Sequence, residues 1–363
     1  MATTERRGEK VIAGESFTDR YTFFHRTTFD IIGDLTFGEP FGCLQNLQTQ
    51  NYVGLLVESL EAFPVLYAMR YFPWIKRLGS LVVDQSRLAK RQEYREWVTS
   101  RVQKRTQQET QRSDFMTEIL GDHGEKGEAL SDDELVSNAQ VLVTAGSETT
   151  ATLLSGATYL LLKNPEVMQK LKDEVRGRWK SYDEIALRSV NEAPYLVAVI
   201  SEALRYYPPV PTGFYRRVPP GGEIISGVFI PEGTSVAVSS YPTHHTERNF
   251  KDPEAFIPER WMGDAEYADD LRSSCQPFSF GPRACLGKVR NNSSMYNPES
   301  SKQGLTSTQN LAYAEMRLIL AKMIWSFDFK LDPASENWLK ENKVFGIWKK
   351  PALSVHMKEV VRA

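Results

Sequence analysis

Apolar residues recur at the spacing of one helix face through residues 21–36 (YTFFHRTTFDIIGDLT), and the pattern predicts a helix there. Residues 83–112 are charged and amphipathic and contain neither Pro nor Gly, which predicts a second. The clearest helix starts at Ser131. Ser131 and Glu134 form a Ser-x-x-Glu capping box ahead of an apolar run that continues to Asn164. Such a run is too long and too apolar to lie on a surface. Asn164 and Pro165 read as an N-cap followed by Pro at the first helical position, opening a helix to about Lys180. Pro194 opens another, which ends before Pro208 and Pro209. From Arg216 to Tyr241 the period changes: IISGVFI and TSVAVSS, set among Gly and Pro, predict short hairpins. Residues 242–270 read as an irregular but ordered loop, and Asn310 to about Phe327 as an amphipathic helix. There are no internal repeats. The fold class is mainly α with small β-hairpins.

With 363 residues the chain suggests two or three domains on length alone, although a single large helical domain also reaches this size. The net charge of −2 gives no support for nucleic-acid binding. Three cysteines, Cys43, Cys275 and Cys285, are too few and too unevenly spaced for a disulfide framework, which favours a reducing compartment. No window of about 18 consecutive apolar residues predicts a membrane span. The start, MATTERRGEK, has no apolar run behind it and is not a secretory signal. The chain is expected to be soluble or peripheral.

Candidate chemistry sits first in FSFGPRACLG, residues 278–287. Cys285 lies between Gly281 and Gly287, two residues after Arg283 and seven after Phe278. A cysteine in a Gly-flanked turn can present its sulfur outward. Backbone amides and the N-terminus of a following helix favour its thiolate, a ligand for soft or borderline metals including haem iron. The plain alternative is a buried free cysteine.

The second constellation is AGSETT, residues 145–150, inside the long helix. Gly costs about 1 kcal/mol in a helix interior, so Gly146 ahead of Glu148, Thr149 and Thr150 is an unusual choice. A small residue lets a ligand approach the backbone, and Thr either back-bonds to a carbonyl or turns to an outside partner. A small-residue helix crossing is the alternative reading. Third, Glu202 and Arg205 stand three apart on a helix, ordinarily a surface ion pair of little worth, with Arg260 downstream in PERW. His244 and His245 are adjacent, point apart on a strand or loop, and have no third ligand nearby, so neither reads as a metal ligand.

Phe278, Gly281, Arg283, Cys285 and Gly287 together resemble the haem-binding signature of the cytochrome P450 family. The resemblance implies haem b, with Cys285 as axial iron ligand and Arg283 on a propionate. Gly146, Glu148 and Thr149 resemble the family's oxygen-activating helix motif, which implies Thr149 as hydrogen-bond partner of O2 and Glu148 in proton delivery. Glu202, Arg205 and Arg260 resemble the family's structural trio, and Arg216 stands where a second propionate-binding Arg is common. The resemblance covers nearly the whole chain as one partial domain, 1–363. It is nearest to fungal microsomal enzymes of secondary metabolism, the isotrichodermin C-15 hydroxylase-like group. It implies a monooxygenase that inserts one atom of O2 into a lipophilic small molecule, with electrons from NADPH through a separate reductase. Full-length relatives sit on the cytosolic face of the endoplasmic reticulum membrane. Without an anchor this chain is expected to be cytosolic or peripheral, with membrane association only in a full-length form.

Two departures from the family stand out. The anchor helix and the N-terminal sheet and helices expected before residues 21–42 are absent from this sequence. Residues 289–309 also separate the Cys turn from its helix: deleting these 21 residues joins Lys288 to Asn310 and restores the family's run. Val289 and Arg290 can be encoded as an intron start, Gln309 as an intron end, and Leu305 and Thr306 as a branch site, so the segment reads as a retained intron; a surface insertion is the alternative. Two further functional readings stay open: a catalytically dead, truncated or mis-spliced product, and a haem-thiolate isomerase or dehydratase.

Overall fold

The computed structural model describes residues 16–45, 68, 69, 71, 72, 85–108, 112–120, 130–287 and 311–362. In chain order the elements are β1 (Ser16–Asp19), α1 (Arg20–Phe37), α2 (Gln85–Thr106), α3 (Phe115–Leu120), α4 (Asp132–Lys163), α5 (Pro165–Arg178) and α6 (Pro194–Tyr206). Then come β2 (Arg216–Arg217), β3 (Glu223–Ile225), β4 (Val228–Ile230), β5 (Ser235–Val236), α7 (Ser240–His244) and α8 (Leu311–Ser326). The chain ends with β6 (Phe327–Leu331), α9 (Trp338–Glu341), β7 (Lys343–Val344), β8 (Trp348–Lys349) and β9 (Ser354–Glu359). It divides into two compact units, residues 1–155 with 327–363 and residues 156–326. Among the described residues no helix is long and apolar enough to cross a membrane.

The start of α4 follows from its capping box. The Glu134 carboxylate accepts from Ser131 N at 2.9 Å, and the Ser131 hydroxyl accepts from Glu134 N at 3.4 Å. The helix has 32 residues, about 48 Å at 1.5 Å each. Every residue from 150 to 161 is buried, so this stretch is covered all round and not along one stripe. The next junction corrects the capping expectation. Pro165 does begin α5, but Asn164 makes no side-chain cap to it. Its amide instead donates to Leu160 O at 2.7 Å and so satisfies a carbonyl at the end of α4.

In the first unit α1, α2, α3 and the start of α4 share one core. Phe29, Phe41 and Trp97 form its aromatic centre, with Val98, Met116 and Val136 around it. The Phe29 and Trp97 rings stack at 5.9 Å, and Phe41 tilts against Trp97 at 4.7 Å. α1 ends in a left-handed Gly38, φ +75°, whose N–H returns to Asp34 O at 3.0 Å. The Asp30 carboxylate then accepts from Cys43 N and Leu44 N and closes the turn that folds Phe41 back onto α1. β1, β9 and β6 complete the unit as an antiparallel sheet in that order.

The second unit packs α5, α6 and α8 through Val167, Leu171, Val175, Leu196, Val199, Ile200, Leu320 and Ile324. The Glu174 carboxylate accepts from Tyr195 N and Leu196 N, so a negative charge sits on the first N–H groups of α6. Gly156 is required by close approach: a Cβ there would lie 2.2 Å from the Tyr207 ring. The expected hairpins are present as the antiparallel pairs β3–β4 and β2–β5. α8 departs from the amphipathic pattern expected of it, because none of its residues is exposed.

Candidate active site

The Cys285 turn belongs to the second unit. Its shape comes from Gly281 at φ +84° and Ser279 at φ +60°, left-handed backbone that turns the chain twice within three residues. Cys285 N donates to Phe278 O at 2.9 Å and Ala284 N to Gly281 O at 3.0 Å. The Cys285 N–H is thereby used to close the turn. Phe278 is buried, its ring 5.0 Å from that of Tyr313 on α8. Gly287 meets the first turn of α8, where Ala312 N lies 3.5 Å from Gly287 O. Residues 289–309 lie outside the described residues.

Cys285 itself is exposed, not buried as the alternative reading required. Phe280 is 76% exposed and Leu286 84%, and Arg283 is exposed beside them. Haem, which the resemblance implies, is an apolar ring carrying carboxylates around iron. A thiol flanked by open apolar side chains and a guanidinium is a donor set that fits it. No group of three or more His, Cys, Asp or Glu side chains among the described residues could hold a bare metal ion.

Glu202, Arg205 and Arg260 are brought together and are fully buried, so the surface-pair reading fails. The Glu202 carboxylate accepts from Arg205 Nε at 2.9 Å, Arg205 Nη2 at 2.7 Å, Arg260 Nε at 3.2 Å, Ile257 N at 2.9 Å and Trp261 Nε1 at 2.8 Å. Arg205 places its other three N–H groups on His244 O, Pro253 O and Ala255 O. Arg260 also pairs with Asp270 and donates to Lys251 O. Two guanidiniums thus tie α6 to the loop through 250–270.

The adjacent histidines were expected to point apart on a strand or loop. They sit instead at the end of α7 and its cap, and both reach the C-terminal end of α6. His244 Nδ1 meets Arg205 O at 3.1 Å, and His245 Nε2 meets Tyr206 O at 2.8 Å. Burial pushes the His244 imidazole down to about 4. Nδ1 of His244 and both ring nitrogens of His245, whose Nδ1 meets Glu254 Oε1 at 3.0 Å, thus hold structural hydrogen bonds. Arg216 lies exposed on β2, with Nη1 on Tyr215 O at 3.2 Å.

Residues 145–150 lie in the first unit, where two faces of α4 separate. Val141, Ala145 and Thr149 fall four apart on one face; Val141 is 63% exposed and Ala145 is exposed. The Thr149 hydroxyl donates to Ala145 O at 2.7 Å, the back-bond that the sequence allowed. Gly146 does not provide the open approach expected of it. A Cβ there would lie 2.6 Å from Ile32 Cδ1, so its missing side chain makes room for α1. The small residue on the open face is Ala145, which sequence reasoning passed over.

Glu148 faces the interior. Lys350 Nζ donates to Glu148 Oε1 at 2.6 Å, and His25 Nε2 lies 3.2 Å from Glu148 Oε2. Thr152 Oγ1 donates to Oε1 at 3.2 Å. Burial alone would raise this carboxyl, but the charges of His25 and Lys350 and the hydrogen bonds from Lys350 and Thr152 outweigh it and hold Glu148 below the usual range. The sequence marked neither His25 nor Lys350. Lys350 lies 202 residues away, and only the position of β8 brings it in.

The cytochrome P450 family model matches residues 6–289. The chain is 52% identical over 363 residues to the cytochrome P450 monooxygenase traB of Penicillium crustosum, covering 99% of this chain and 66% of that protein. It is 41% identical over 338 residues to the trichothecene C-15 hydroxylase of Fusarium sporotrichioides, covering 93% and 64%. The averantin hydroxylase of Dothistroma septosporum is 40% identical over 350 residues, covering 95% and 62%. The chain thus spans just under two thirds of the length of the curated relatives it matches. The crystal structure of the cytochrome P450DA heme domain superposes with a TM-score of 0.73 at 20% identity, covering 95% of this chain and 69% of that one, which is a likeness of fold.

Proposed function

Because the chain belongs to the cytochrome P450 family, we propose that it is the haem-bearing portion of a fungal monooxygenase that inserts one atom of O2 into a lipophilic small molecule of secondary metabolism. The observation that carries this reading is the exposed Cys285 thiol in a turn closed by its own N–H, flanked by Phe280, Leu286 and Arg283. In this reading Cys285 holds the iron, Phe278 and Gly281 shape the turn, Gly287 joins it to α8 through its carbonyl, and Arg283 and Arg216 pair with the propionates. Bound haem supplies O2 activation, with electrons delivered from NADPH by a separate flavoprotein reductase.

The protein's own residues do the rest. Thr149 offers a hydroxyl that can leave Ala145 O and donate to a ligand on the open face of α4. Ala145 leaves room on that face, and Gly146 lets α1 pack behind it. Glu148 is the acid from which a proton reaches Thr149. Glu202, Arg205 and Arg260 hold the loop that leads into the Cys285 turn. Relatives named as an averantin hydroxylase and a trichothecene C-15 hydroxylase support hydroxylation of a small molecule. Full-length forms are expected at the endoplasmic reticulum membrane.

Turnover of such compounds with NADPH, reductase and isotopically labelled O2 tests the reading. One labelled oxygen atom in the product is expected. A product without labelled oxygen overturns it: unchanged oxygen content points to isomerisation, and the loss of one oxygen to dehydration. Residues 289–309 are read as a retained intron because deleting them joins Lys288 to Asn310 and restores the family's run. Transcripts that all carry the segment would overturn that origin.

A further inference from the structure

The turn of α4 that carries Thr149 is poorly helical by composition. From Val143 to Thr150 only Ala145 and Glu148 favour a helix; Val143, Thr144, Ser147, Thr149 and Thr150 are β-branched or carry hydroxyls, and Gly146 has no side chain. Hydroxyls also crowd its carbonyls. Ser147 Oγ donates to Val143 O at 2.7 Å and Thr149 Oγ1 to Ala145 O at 2.7 Å, back-bonds of the kind that loosen and bend a helix. Yet α4 runs through this turn as continuous helix. Support comes from α1, where Thr28 and Ile32 stand four apart on one face. Ile32 fills the space left by Gly146, and Thr28 Oγ1 donates to Ser147 O at 3.0 Å. Thr28 is fully buried, and the other acceptor within its reach, His25 O, is farther off at 3.3 Å. A helix carbonyl has two lone pairs, one for the amide four residues on and one for this hydroxyl. Ser147 and Thr149 lie about 200° apart round the helix, so α1 holds the turn from the side opposite Thr149.

We propose that Thr28 is a positioning residue for Thr149: by pinning Ser147 O it keeps the backbone of this turn in place when the Thr149 hydroxyl leaves Ala145 O for a ligand. The inference rests on the ligand-binding role given to Thr149 above. A threonine hydroxyl has one proton, and while that proton is on Ala145 O none is left for the open face. Rotation about χ1 turns it outward and relaxes the bend that the back-bond imposes. With Ser147 O pinned and Ile32 seated against Gly146, the backbone does not follow that relaxation. Only the hydroxyl moves, and it keeps its aim.

The test is amide hydrogen exchange of the full chain, joined to haem-loaded turnover, on the parent, Thr28→Val and Thr28→Ser. Valine keeps the branched shape without the hydroxyl; serine keeps the hydroxyl. Thr28→Val is expected to raise exchange across 143–151 about fivefold, the factor for one net hydrogen bond, with 152–161 unmoved and Thr28→Ser matching the parent. In turnover, Thr28→Val is expected to lower the share of consumed NADPH recovered as oxygenated product while total consumption holds, and Thr28→Ser to restore it. Equal exchange at 143–151 in Thr28→Val and the parent overturns the proposal. So does a rise spread over the whole first unit, which marks lost stability and not a lost pin. Unprotected amides at 143–151 in the parent overturn it even if Thr28→Val does not fold. A localised rise with unchanged product yield makes Thr28 a support of the helix alone and overturns its positioning of Thr149. A parent that forms no oxygenated product overturns the monooxygenase reading, and the positioning role with it, whatever the exchange shows.

Discussion

Replacing Arg205 by Lys keeps the charge and removes the geometry. The guanidinium places all five N–H groups: two on Glu202, and one each on His244 O, Pro253 O and Ala255 O. An ammonium has three donors on a point-like head, so at least two of these five buried hydrogen bonds are lost. Each unmade bond at a buried group costs about 1–3 kcal/mol, which puts the loss at about 2–6 kcal/mol, centred near 4. At an m-value of about 2 kcal/mol per M in urea, the unfolding midpoint of the second unit falls by roughly 2 M. Trp261, which donates to the same carboxylate at 2.8 Å, reports the transition by fluorescence. Arg95→Lys serves as control, because Arg95 pairs with an exposed Asp133 on the surface and should leave the midpoint unmoved. An Arg205→Lys midpoint within about 0.3 M of the parent, at unchanged m, refutes the reasoning.

His244 gives a pH dependence with a definite sign. Its folded value of about 4 lies below the ordinary 6.5, so between these values the unfolded chain binds a proton that the folded chain does not. Its contribution to stability is full above pH 6.5 and falls by up to about 3 kcal/mol as pH drops to 4. Urea unfolding of the parent and His244→Asn across this range should differ by that slope; parallel curves contradict it. Gly156→Ala places a methyl where the Tyr207 ring lies and should destabilise by about 1–3 kcal/mol despite the better helix propensity of Ala. A gain in thermal stability would show that Tyr207 moves aside at little cost.

What could be read in the sequence was local. The capping box of Ser131 and Glu134, Pro at the start of α5 and α6, and the period change at Arg216 each act within a few residues, and the elements begin where those signals stand. The Glu202, Arg205 and Arg260 trio was legible only through a family pattern, since nothing in an i,i+3 spacing distinguishes a buried pair from a surface one. Three features were beyond reach. Asn164 faces two helix ends, and composition does not say which it caps. Gly146 looks like room for a ligand until α1 is seen to fill it. Lys350 is one basic residue among many until the hairpin of β7 and β8 brings it to Glu148. Each depends on tertiary contacts, where packing overrides local preference.

The central claim is that Cys285 is the iron ligand of a bound haem. Its most direct test is the absorption spectrum of the haem-supplemented chain, reduced and bound to carbon monoxide, beside that of Cys285→Ser. The account predicts the red-shifted Soret band of thiolate ligation in the parent and its loss in the variant. The same band in both, or no such band in the parent, would contradict it.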